Sequence, residues 1–296
     1  MHASPRAKIN LTLAVEPRGA DGYHPIESLI LRVGLADELV VAFADRGPDT
    51  LTVAGLPGCP VEGNLVLRAF ALMRQAIGHD LPPLVAHLDK RIPMAAGLGG
   101  GSADGAAALE AAEVMWGVGI SPQTRAAIEL ELGADVPFFA RGGDAALVAG
   151  RGEQVGRLPA PTREPGILLV TPPFGLNTAH VFARFDELAP HPQRRLVPGL
   201  DEALREPALL RDANDLWPAA ASIEPRLAGI RDELERLTKV PWLMSGSGST
   251  MFALYPSAEE ATAAGRLLVS AESESLSGAI INAVDLTGPD PLWRYS

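Results

Sequence analysis

Lys90-Arg-Ile-Pro-Met-Ala-Ala-Gly-Leu-Gly-Gly-Gly-Ser-Ala-Asp-Gly-Ala-Ala-Ala-Leu109 is the stretch on which the reading of this chain turns. Upstream, Leu84, Ala86 and Leu88 alternate with Val85, His87 and Asp89, the period of a strand. Pro93 has no N–H to give and ends that ladder. Downstream, Ala106 to Trp116 is rich in Ala, Leu, Glu and Met and predicts a helix. Four glycines (Gly97, Gly99, Gly100 and Gly101) and Ser102 therefore join a strand to a helix start. Glycine admits positive φ and close backbone approach. A helix start adds unpaired N–H groups and the positive end of a dipole. Together these suit a polyphosphate. A flexible Gly-Ser linker has a similar composition, but linkers run between polar segments, whereas this run is clamped between an apolar strand and an Ala-rich helix. Neither common phosphate loop fits. Ala106-Ala107 stand where a Walker loop requires Lys and Ser or Thr, and no G-x-G-x-x-G is present.

The whole chain sets wider bounds. Its 296 residues predict about two domains with ample core. With 47% hydrophobic and 21% charged residues, the composition is that of an ordinary soluble globular protein. A formal charge of −11 argues against a nucleic-acid or anionic-membrane surface. It leaves room for a nucleotide, which needs only local positive groups. Cys59 is the single cysteine, so an internal disulfide and a thiolate metal cluster are excluded. The N-terminus enters an alternating segment with no signal-peptide core, and no run of about 18 apolar residues offers a membrane span. The expectation is a soluble, cytoplasmic protein.

Residues 5–15 alternate cleanly, with Ala7, Ile9, Leu11, Leu13 and Val15 on one face and Lys8, Asn10 and Thr12 on the other. On local grounds this is a half-exposed strand with a solvated polar face. A Gly-rich turn over 18–25 carries Tyr23 and His24, either a binding tip or surface decoration. Strands are predicted at 26–33, 38–43 and 50–54. Asn64 then caps a helix with Leu65, Ala69, Leu72, Met73 and Ile77 on one face, and Gly78 ends it. Ser121-Pro122 starts another helix, which Gly133 closes. Asp135 follows among small and apolar residues, as a cap or turn residue or as a functional carboxylate. Short strands are predicted at 144–148 and 154–158, and Pro159, Pro161 and Pro165 mark a domain junction. Beyond it come a strand at 166–171, a helix at 178–188 and a loop over 189–198. Ser222 is read as the cap of a helix bearing Ile223, Leu227, Ile230, Leu234 and Leu237. Strands at 242–244 and 251–255 flank Ser245-Gly-Ser-Gly-Ser-Thr250, Ser257 and Glu260 form a capping box, and a strand at 279–286 ends the regular structure. Mixed elements without a strict βαβ repeat predict an α+β protein.

Three separated motifs together resemble the GHMP kinase superfamily: Pro5-Arg-Ala-Lys-Ile-Asn-Leu11, Pro93-Met-Ala-Ala-Gly-Leu-Gly-Gly-Gly-Ser-Ala-Asp104 and Gly246-Ser-Gly248. Asp21-Gly-Tyr-His24, Asn64-Leu65, Asp89-Lys-Arg-Ile-Pro93 and Gly133-Ala-Asp-Val-Pro137 narrow the resemblance to the branch acting on a cytidyl diphospho-sugar alcohol, in the non-mevalonate isoprenoid route. The match covers most of the chain and thins between Asp186 and Arg211. Ala95-Ala96 replaces a Gly-Gly seen in some relatives, and Gly105 stands where Ala is usual.

The resemblance implies an ATP-binding N-terminal domain over 1–158, ribosomal-S5-like, and a ferredoxin-like substrate-side domain over 159–296, with the active site in the cleft between them. It implies Lys8 and Asp135 as the catalytic pair. ATP would be held by Asn64, Leu65, Lys90, Pro93, Met94, Gly97, Leu98, Gly99, Gly100, Gly101 and Ser102, although an N-cap role explains Ser102 equally. The cytidyl substrate would meet Asn10, Tyr23, His24, Thr178 and Phe182. Mg²⁺ would arrive with the nucleotide, and no metal ligands are assigned. The competing expectations are a GHMP kinase for homoserine or a mevalonate-type acid, disfavoured by Tyr23-His24, and a non-catalytic nucleotide binder, disfavoured by Lys8 and Asp135.

Overall fold

Apolar alternation is translated into three sheets in the structure, a computed structural model that describes residues 1–78, 80–188, 197–286 and 289–294. In chain order the first elements are β1 (His2–Ala3), β2 (Arg6–Asn10), β3 (Ala14–Val15), β4 (Ile26–Ala36), β5 (Glu38–Phe43), β6 (Thr50–Gly55) and α1 (Leu65–Ile77). They are followed by β7 (Leu84–Lys90), α2 (Gly100–Trp116), α3 (Pro122–Leu132), α4 (Val136–Arg141), β8 (Ala145–Gly150) and β9 (Gln154–Arg157). The remainder comprises β10 (Gly166–Thr171), α5 (Thr178–Leu188), α6 (Leu200–Arg205), α7 (Trp217–Ile223) and α8 (Arg226–Thr238). It closes with β11 (Leu243–Met244), β12 (Met251–Tyr255), α9 (Ala258–Ser270), β13 (Ile280–Val284) and β14 (Pro289–Arg294).

The first sheet has the order β1-β5-β7-β6, with only β6–β7 parallel. The second is antiparallel, β2-β4-β8-β9, with β3 also on β4. The third is antiparallel, β11-β12-β10-β13-β14. The proline run at 159–165 connects the second sheet to the third.

Helix ends follow their local chemistry. Asn64 Oδ1 accepts from the Val66 N–H at 3.0 Å, and Gly78, in the left-handed region, donates to Arg74 O. Ser121 Oγ accepts from the Thr124 N–H, and Ser257 Oγ from that of Glu260. Elsewhere packing overrides the local pattern. Helix α2 starts at Gly100 with Gly99 as its cap, so the glycines form its first turn and Ser102 lies inside it. Ser222 caps nothing: α7 runs on to Ile223, a new helix begins after Pro225, and Ser222 Oγ accepts from Arg184 Nε. The last expected strand ends at Val284, and β14 pairs beside it. Most of the loop expected at 189–198 lies outside the described residues.

The solvated face expected for residues 5–15 is absent. Lys8, Asn10 and Thr12 are only 3%, 4% and 5% exposed. Two loops cover that face: the Lys8 N–H donates to Leu98 O at 3.0 Å, and the Asn10 N–H to Ser245 Oγ at 3.3 Å. The opposite face enters a shared core, where Ala7, Ile9, Leu29 and Leu31 of the second sheet join Ile167, Leu169, Phe252 and Leu254 of the third. The first sheet packs on α1 and α2 through Leu39, Val41, Leu88, Phe70 and Leu109. Among the described residues, no helix is long and apolar enough to cross a membrane.

Candidate active site

The loop from Arg91 to Gly99 joins β7 to α2. At Gly97 φ is +76°, and a Cβ would lie 2.1 Å from Ser245 O; at Gly99 φ is +70°, and a Cβ would lie 2.9 Å from the Phe139 ring and 3.1 Å from Lys8 Cγ. Only glycine fits both the backbone and the space. The 245–250 loop docks directly here: Ser245 Oγ donates to Gly97 O at 2.8 Å and the Thr250 N–H to Ala96 O at 3.1 Å. A cavity of about 490 Å³ opens in front of these two loops.

Lys8 projects from β2 to the cavity wall. Its Nζ donates to Asn10 Oδ1 and lies 3.7 Å from Asp135 Oδ2. Asn10 is pinned in turn, donating from Nδ2 to Ser28 Oγ at 2.8 Å, while Ser28 Oγ donates to Thr12 O. Both functional ends of the Asn10 amide are thus occupied by the protein. Asp135 sits at the cap position of α4, yet its carboxylate makes no cap hydrogen bond, and its side chain is 35% exposed. A buried cation and a half-exposed carboxylate face the same space.

Asn64, Leu65, Lys90, Pro93 and Met94 line the cavity, together with Cys59 and Pro60. Asn64 Nδ2 donates to Pro60 O at 3.2 Å, which with its cap bond fixes the amide. Gly97, Leu98, Gly99, Gly100, Gly101 and Ser102 line the cavity as well, with Gly99 against the Lys8 stem and Gly100 against Lys90 Nζ. Lys90 is 3% exposed and donates to Asp37 Oδ2 and, at 2.8 Å, to Asp104 Oδ2. Asp37 Oδ1 accepts the Arg91 and Ile92 N–H groups. Burial acts to lower the Lys90 pKa, but the two carboxylates outweigh it and hold the ammonium above its ordinary range. The Asp104 carboxyl is pushed up to about 8, by burial first and against the pull of Lys90, with the Asp37 charge adding to the rise.

Asn10, Thr178 and Phe182 line the same cavity. Thr178 Oγ1 and Ser247 Oγ share a hydrogen bond of 2.9 Å. Tyr23 and His24 are not brought into the lining. Tyr23 is 53% exposed, with the Arg151 guanidinium 3.6 Å from its ring centroid. His24 is buried behind Phe182, with ring centroids 5.3 Å apart, Nδ1 2.9 Å from Glu16 O and Nε2 3.2 Å from Asp186 Oδ1. The expected site residues otherwise share one cavity. The sequence reading missed Asp37 and Asp104 as partners of Lys90. Its available signal was the charged Asp104 set among alanines and glycines just after the loop.

The description "GHMP kinases N terminal domain" matches residues 64–143 and "GHMP kinases C terminal" matches residues 179–270. The chain is 40% identical over 261 residues to the 4-diphosphocytidyl-2-C-methyl-D-erythritol kinase of Pelotomaculum thermopropionicum, covering 86% of this chain and 89% of that one. It is 37% identical over 262 residues to the enzyme of that name from Rhizobium leguminosarum bv. trifolii, covering 86% of both. A crystal structure of 4-(cytidine 5'-diphospho)-2C-methyl-D-erythritol kinase superposes with a TM-score of 0.73 at 31% identity, over 96% of this chain and 99% of that one.

Proposed function

Since the chain belongs to the GHMP kinases, and among them to the 4-diphosphocytidyl-2-C-methyl-D-erythritol kinases, we propose that it transfers the γ-phosphate of ATP to a hydroxyl of 4-diphosphocytidyl-2-C-methyl-D-erythritol in the non-mevalonate isoprenoid route. One observation carries the chemistry: Lys8 Nζ and Asp135 Oδ2 lie 3.7 Å apart beside the glycine loop, in the same cavity. Phosphoryl transfer is largely positioning and charge stabilisation. Asp135 takes the proton of the acceptor hydroxyl. Lys8, oriented by Asn10, holds that oxygen and offsets charge at the phosphoryl group.

The N–H groups at the start of α2 cradle the phosphates, and Leu65, Pro93 and Met94 enclose the adenine. ATP enters with its Mg²⁺, the ion travelling with the nucleotide. At the far end, Phe182 stacks on the cytosine with His24 behind it and Tyr23 at the rim, while Thr178 and Asn10 border the sugar alcohol. We assign residues 1–158 to the ATP-binding domain and 159–296 to the substrate-side domain, and place the protein in the cytoplasm, where ATP is available. The test is ADP release with the cytidyl substrate against homoserine and mevalonate. Turnover with the first alone is expected. Turnover with either acid alone would overturn the acceptor, and ATP binding without any turnover would make the protein a nucleotide binder.

A further inference from the structure

Asp104 and Lys90, which line the cavity, form a buried group with Asp37, and the mechanism above leaves Asp104 unused. The three come from different elements: Asp104 from the second turn of α2, Lys90 from the last residue of β7, and Asp37 from the junction of β4 and β5. The hydrogen-bond donors are divided unequally. Asp37 accepts from Lys90 Nζ and from two backbone N–H groups. Among the described residues, Asp104, 2% exposed, accepts from Lys90 Nζ and its buried Oδ1 has no N–H donor, while a hydrogen bond between the two carboxyls favours the protonated form of Asp104. Two ionised carboxylates on one ammonium would leave a net negative charge under a loop that binds polyphosphate. The poorly solvated member is the one that keeps a proton.

We propose that Asp104 is a positioning residue for ATP: as a neutral carboxyl it ties the start of α2 to Lys90 without placing negative charge beneath the phosphates. The inference rests on the cavity being the nucleotide site. Burial, which raises the Asp104 carboxyl to about 8, supports it. The charged or titratable groups facing it are Lys90 and Asp37, with the half-buried Cys59 thiol further off, itself raised chiefly by burial. The sign follows. An anion favours the protonated form, so ATP affinity is full below the carboxyl's folded pKa and falls as pH rises through it.

The test measures KM for ATP and kcat from pH 6.5 to 9. KM of the wild type should climb about tenfold across that range, equivalent to about 1.4 kcal/mol, with a smaller change in kcat. Asp104→Ala, which removes the tie, should raise KM already at pH 7, and Asp104→Asn should recover most of that loss and flatten the climb. Parallel climbs in the wild type and Asp104→Asn, or no recovery by Asn over Ala, would overturn the proposal. A second measurement needs no variant: calorimetry of ADP binding to the wild type at pH 8, in two buffers of different ionisation enthalpy, should show net proton uptake. Binding without uptake would sink the idea. Failure of the folded wild type to bind ADP at all would instead strike at the nucleotide site itself.

Discussion

Replacing Asp135 by Asn keeps the shape of the side chain and removes its ability to accept a proton. With Lys8 Nζ 3.7 Å away and no cap bond to lose, the fold has little reason to respond. The expected result is a fall in kcat on the order of 10²-fold or more, with ATP affinity nearly unchanged. A variant retaining near-normal kcat would show that another group takes the proton. Lys8 and Asp135 were legible as a pair only through the family motifs, because they are far apart in sequence. The burial of Lys8 was not legible locally. A period-2 strand looks the same whether its polar face meets water or, as here, two loops and a hydrogen-bonded row of Asn10, Ser28 and Thr12.

The glycine loop and α2 can be separated position by position. A methyl at Gly99 meets the Phe139 ring and the Lys8 stem, and φ there is +70°. At Gly101 the nearest atom is Leu65 Cδ1, at 3.9 Å, on a helical backbone. Gly99→Ala should therefore destabilise the protein by roughly 1–3 kcal/mol, the range for overpacking, and disturb Lys8. Gly101→Ala should fold at least as well as the wild type, since Ala gains about 1 kcal/mol over Gly within a helix. Its methyl faces the cavity, so it should weaken ATP binding in a stable protein. Thermal melts and nucleotide titrations of both variants check this, and equal melting temperatures would refute the distinction. Capped helices such as α1 and α3 were legible to the residue, because their boundaries are set by side chains next in sequence. The start of α2 and the break at Pro225 were read wrongly, because tertiary packing and a proline between two helices decided them.

The second and third sheets share one core. Ala7, Ile9, Leu29 and Leu31 lie against Ile167, Leu169, Phe252 and Leu254, and baring such side chains costs about 1.5–3 kcal/mol each for the larger ones. Even a few of them rival the roughly 5–15 kcal/mol that separates a folded domain from its unfolded state. Residues 1–158 expressed alone should therefore be cleaved by protease much faster than the same segment in the whole chain. A fragment as resistant as the intact protein would contradict this. The proline run, read as a domain junction, lies where the chain passes from the second sheet to the third, while the common core left no signature, since an apolar strand face does not record what covers it. The bonds made by residues 6–15 have a consequence for synthesis. Leu13 donates to Ala213 O, Val15 to Asp215, Asn10 to Ser245 and Arg6 to Leu286 O. These residues thus wait for partners translated 200 to 280 residues later, and long-range pairings of this kind slow folding. Until those partners emerge, a nascent chain holds Lys8 on a strand that still lacks its cover, and no kinase can form.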